Sequence, residues 1–139
     1  MSLKYATSIR NAQLDAIETD VGTAPILRIY DGSVPANAAA SLGSSTLLAQ
    51  GTLPSDWAAA ASSGSKAKSG TWTVTGQSGA GTGTTGTFFR VYASDGTTPK
   101  IQGTFSVTGG GGDMTADNAN IANAQVVTVN TFSITAGNG

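Results

Sequence analysis

The chain has 139 residues, more than half of them alanine, glycine, threonine or serine, with 11% charged and a formal net charge of -1. That length suits one domain with a real core and leaves no room for a second. Histidine and cysteine are both absent, which removes the usual general base near neutral pH, thiol nucleophiles, thiolate–imidazole zinc sites and disulfides. The seven basic residues are scattered apart from Lys66 and Lys68, so no cationic face for tracking phosphates is expected, and no nucleic-acid partner. No apolar run reaches the length of a membrane span, and the N-terminus lacks the basic-then-apolar layout of a signal peptide. Few charges, with aromatic and β-branched residues in clusters, predict a folded chain rather than a disordered one.

Residues 5–19 read as a helix. Tyr5, Ile9, Ala12 and Ala16 share one stripe, widened by Leu14 and Ile17, with Arg10, Asp15 and Glu18 mostly off it. Val21-Gly22 supplies a stop. The spacing favours a helix covering one end of its own sheet over an arm that docks on a partner. Residues 24–30 form a β-rich run with apolar residues on both faces, closed by Asp31-Gly32 and Pro35, and predict a central strand buried on both sides. Residues 33–45 are an ordered loop, 46–53 a short strand ended by Pro54, and 56–61 one helical turn capped by Ser55 or Asp56.

The second half repeats one motif four times, a small residue, a threonine and an aromatic with a β-branched residue close behind: Gly70-Thr71-Trp72, Gly86-Thr87-Phe88, Gly103-Thr104-Phe105 and Asn130-Thr131-Phe132. Large apolar groups alternating with hydroxyls are the period-two signature of a strand with a dry and a wet face. The second and third copies flank Asp95-Gly96 and predict a hairpin that brings Phe88, Phe89 and Tyr92 near Phe105 and Val107. The glycine-rich loop at 76–86 is expected to be mobile or unusual in conformation, and 108–113 form a second glycine-rich loop. No Gly-Lys-Ser/Thr follows the first, so it is no phosphate cradle. Copy spacings of 16, 17 and 27 residues suit a meander with one longer return. The expected fold is mainly β, an antiparallel sandwich, jelly roll or small barrel with one N-terminal helix and a β framework over 24–136, as a single domain over 1–139.

Catalytic groups are few. Glu18 is the one glutamate and falls on the helix, Asp31 and Asp95 are explained by their turns, and Lys66 is the lysine a serine–lysine dyad would need. The chain reads as a non-enzyme without cofactors. Asp113 and Asp117, with Asn118 and Asn120, are the best metal candidates, since calcium takes several oxygen ligands from a short loop; loop residues bonding to their own backbone explain them better. The threonine rows 71/73/75, 104/106/108 and 131/133/135 raise the idea of one flat hydroxyl surface, although threonine on a wet strand face is commonplace.

Both ends carry a resemblance. The run Tyr5-Ala6-Thr7-Ser8-Ile9-Arg10-Asn11-Ala12-Gln13-Leu14-Asp15-Ala16-Ile17 leads into Leu27-Arg28-Ile29-Tyr30-Asp31-Gly32-Ser33-Val34-Pro35, and the chain closes on Val127-Thr128-Val129-Asn130-Thr131-Phe132-Ser133-Ile134-Thr135. This resembles small proteins encoded in the head modules of tailed bacteriophages, among them capsid decoration or cement proteins. The resemblance implies a virion structural protein on the capsid surface, made in the cytoplasm of a bacterial host. It implies the major capsid protein of the same phage as partner and brings no catalytic motif. An oligomer is expected, with a trimer favoured, because assembly hides strand edges. The rival expectation is a neck, tail or fibre module that binds a receptor or carbohydrate through exposed aromatics, with Trp57 or Tyr30 as candidates.

Overall fold

The computed structural model describes residues 2–137. A single helix, α1 (Thr7–Val21), precedes the strands β1 (Ile26–Tyr30), β2 (Leu47–Thr52), β3 (Ser65–Ala67), β4 (Trp72–Gly76), β5 (Thr84–Thr85), β6 (Phe88–Tyr92), β7 (Pro99–Val107), β8 (Met114–Ala116), β9 (Asn120–Ile121) and β10 (Val126–Thr135). The order β10-β4-β2-β1-β6-β7-β8 closes on itself through β8 and β10, giving a seven-stranded barrel with β3 added on β10. The expected mainly-β fold with one N-terminal helix is therefore a small barrel.

Closure follows from the alternation. Trp72 and Val74 point inward between exposed Thr73 and Thr75, and Leu27, Ile29, Phe89, Val91, Phe105, Val127, Val129 and Phe132 fill the same interior. Trp57, Trp72, Phe132 and Phe89 form a chain of ring contacts 5.2–6.1 Å between centroids. The hairpin β6–β7 pairs as expected, but the pleat splits its aromatics: Phe89 and Phe105 face the interior, whereas Phe88 and Tyr92 join Tyr30 in a separate cluster outside it. Since β1 and β6 are covered on both faces, the double-sided burial expected of residues 24–30 holds.

The barrel is no simple meander. Strands β7 and β8 run parallel, a pairing that ordinarily needs a long crossover. Here the chain doubles back at Gly109 and Gly111, both at positive φ, and returns beside β7 before turning again into β8. Thr104 donates its N–H and hydroxyl to the Asp113 carboxylate, and the Asp113 N–H returns a bond to the Thr104 hydroxyl. These glycines allow two reversals in a few residues, so their loop has a defined course.

Strand β4 runs from one barrel end to the other. At its start Val21, Leu53 and Trp57 close the interior; at its end a 3₁₀ turn, Ser78–Ala80, and the β5–β9 ribbon place Ala80 and Ile121 over the opposite mouth. The glycine-rich segment 76–86 is thus a folded plug. Gly76 belongs there because a Cβ would lie 1.9 Å from the Ala122 carbonyl oxygen. The helical turn expected at 56–61 is instead extended: Ala59 donates to the Ala67 carbonyl and Ser62 to that of Ser65, an arrangement that covers the outer side of β3. Among the described residues, barrel closure and this cover pair most strand edges, and the start of β7 is the longest stretch paired on one side alone.

The helix docks through only part of its expected apolar face. Leu14 and Val21 are buried and Ile17 half-buried against the barrel, while Ile9, Ala12 and Ala16 face outward. The stripe 14/17/21 carries larger apolar groups than 9/12/16, and Asp15 and Glu18 beside it also find a cation on the barrel.

Candidate interaction surface

That cation is Lys66 on β3, 1% exposed, whose ammonium lies 2.8 Å from Asp15 Oδ1, 2.6 Å from Glu18 Oε2 and 2.8 Å from the Ala59 carbonyl. Burial alone would push its pKa down, but the hydrogen bonds to Asp15 and Glu18 outweigh that and hold it above the ordinary lysine value. Asp15 is held below the usual carboxylate range, first by Lys66 and then by the Ala61 N–H. Lys66 is therefore a protonated anchor with three acceptors, and the serine–lysine dyad has no base. Three further polar contacts fasten α1. Arg10 donates twice to the Ala136 carbonyl, Asn11 accepts the Gly64 N–H, and Lys100 reaches Asp20 at 2.9 Å.

On the outer wall, β2, β1, β6 and β7 bring Gln50, Arg28, Arg90 and Gln102 into one register row. Two arginines opposite each other repel. The flanking glutamines relieve this, each side-chain carbonyl accepting from an arginine Nε, at 2.6 Å for Arg28 and 2.8 Å for Arg90. Arg28 also lies over the Tyr92 ring, 4.7 Å from its centroid. Arg90, 3% exposed, donates to the carbonyls of Asn37 and Ala40 and so binds the loop 33–45 over Tyr30, Phe88 and Tyr92. Burial and the 2.9 Å bond to Tyr92 raise the Tyr30 pKa well above the usual phenol value. Arg90→Met should leave the barrel intact and free this loop. The expected cost is about 1.5–3 kcal/mol from lost charge-assisted bonds, read as a lower denaturation midpoint with faster hydrogen exchange confined to 33–45.

A shallow cavity of about 270 Å³ lies within that loop, lined by Ser33, Val34, Pro35, Ser41, Leu42, Gly43, Ser44 and Ser45. It holds no titratable group. Asp113 is bonded to β7 as described, and Asp117 Oδ1 accepts the Thr128 N–H on β10, so the two metal candidates brace different strands. Asn118 closes a turn onto the Asn120 N–H. Among the described residues no three acidic groups converge as metal ligands would. Trp57 and Tyr30, the candidate sugar-binding aromatics, are 0% and 3% exposed and belong to the core. The threonine rows are distributed over β4, β7 and the far half of β10, which pairs with β8 and β3, so they do not share one plane. No known family, curated protein or solved structure matched the chain.

The sequence reading missed the Lys66 anchor and the arginine row. From the sequence, Lys66 stands only as the close pair of Lys68 and as the lysine a dyad would need, and only the fold places it against the helix. The row did carry a signal: Arg28 and Arg90 both interrupt strongly apolar β runs, where a charge needs a compensating partner.

Proposed function

We propose that the chain is a non-enzymatic structural protein of a tailed-phage particle, a capsid decoration or cement protein that binds the head lattice as a homo-oligomer. The carrying observation is where the reactive groups lie: Lys66, Arg90, Asp95, Asp113 and Asp117 each hold a helix, loop, turn or strand in place. What the surface offers is small apolar and hydroxyl side chains, with α1 turning Ile9, 48% exposed, Ala12 and Ala16 to the outside. Both barrel mouths are plugged and the interior is filled, which suits a rigid block for repeated contacts. The likeness at the two ends of the chain supplies the phage context.

Purified particles decide the reading. Quantitative mass spectrometry should find the chain at a copy number on the scale of the major capsid protein. A handful of copies would support the neck, tail or fibre alternative, now without its candidate aromatics. Absence from particles would sink both.

A further inference from the structure

Helix α1 is joined to the barrel by a four-residue hinge, Gly22, Thr23, Ala24 and Pro25, and the hinge is strained. Ala24 sits at φ +47 although it carries a Cβ and precedes a proline. The left-handed region disfavours any L side chain, and the proline ring pushes the preceding residue toward extended conformations. Gly22, at φ +84, bears no such cost. Straightening the hinge would release the strain at Ala24.

The contacts beyond the hinge form two complementary halves. Asp15 and Glu18 make an acidic flank of the docked stripe that meets Lys66, and Asp20 on the opposite flank meets Lys100, so two barrel lysines form a cationic saddle astride the helix. Apolar anchoring is limited to Leu14, Ile17 and Val21, and the helix start has no side-chain cap. Every copy of the chain carries both halves, so the helix of one copy fits the saddle of another as well as its own. Short hinges under strain favour such exchange, and exchange is a low-cost route from monomer to closed dimer. From this we infer that α1 is an exchangeable arm: two copies cross at 22–25, and each docks its helix on the Lys66 saddle of the other. The inference concerns the purified chain and holds whether or not the protein decorates a capsid.

Because docking contacts are alike in the closed and exchanged forms, the hinge sets the balance. Ala24→Gly removes the Cβ that strains the closed form, so it should weaken the dimer at least about tenfold, from the 1–2 kcal/mol such a conformation costs per residue. Sedimentation equilibrium up to millimolar concentration measures this. A wild-type chain that stays monomeric, or a dimer whose dissociation constant Ala24→Gly leaves unchanged, overturns the proposal. Charge reversal supplies the second arm. Lys66→Glu and Asp15→Lys/Glu18→Lys should each repel their own helix, and mixing the two should give a 1:1 heterodimer with restored helix protection. Two folded variants that remain separate on mixing also overturn it; should either fail to fold, the Ala24→Gly comparison decides alone.

Discussion

Trp72→Ala is expected to destabilise the protein by about 3–5 kcal/mol, the largest loss available from one core side chain. Trp72 is 0% exposed and sits at the mouth of the barrel where α1 closes it, between Trp57 at 6.1 Å and Phe132 at 5.2 Å. A buried tryptophan removes about 200 Å² from water, or about 5 kcal/mol at 25 cal/mol per Å². Its indole N–H donates to the Ser69 carbonyl, and truncation leaves that acceptor without its partner. Collapse cannot refill the space, since the strands around it are held in register by barrel closure. Against a typical stability of about 5–15 kcal/mol, the variant should unfold at a denaturant midpoint reduced by about a fifth or more. Thr73→Ala, one residue along on the exposed face, should shift the midpoint little. Equal losses at the two positions would mean that the alternation does not set the core.

The barrel was legible in the sequence to the extent that local alternation dictates it. Trp72-Thr73-Val74-Thr75 and Phe132-Ser133 read as strands and are strands, because period two fixes which side chain faces inward whatever lies across the sheet. Segments with uniformly small side chains were not legible. Residues 56–61 carry an alanine run whose helix propensity yields to the ladder with β3, and the glycines at 109–112 gave no hint of a parallel β7–β8 pair. The helix lies where expected but docks through Leu14 and Ile17, the widened edge of its expected stripe, and turns Ile9, Ala12 and Ala16 outward. Its stripe 9/12/16 holds one isoleucine and two alanines against leucine, isoleucine and valine on the docked one, and Lys66, far along the chain, adds an ion pair to that larger apolar area. Long-range ion pairing leaves no periodic trace, so the docking surface is the part that only the fold reveals.

That pairing yields the second large effect. Removing both acids in Asp15→Ala/Glu18→Ala would leave a 1%-exposed ammonium with only the Ala59 carbonyl, and stranding a buried charge costs about 3–5 kcal/mol. The chain has a cheaper response, which is to release α1 and hydrate Lys66. The expected result is lost hydrogen-exchange protection across Thr7–Val21 while the barrel strands stay protected. Lys66→Met should cost far less, because Asp15 and Glu18 are 52% and 29% exposed and remain hydrated. The pH dependence has a definite sign. Asp15 is held below its ordinary 3.8, so its contribution is present above that value and is lost as pH falls through the lowered one. Lys66 is held above 10.5, so its contribution is complete below 10.5 and is lost as pH rises through the raised value. Helix protection should therefore be flat through neutral pH and fall at both extremes, and Lys66→Met should flatten the alkaline limb. A wild-type helix that loosens between pH 5 and 9, or an alkaline limb that survives Lys66→Met, would show that something other than this buried ammonium fastens α1 to the barrel.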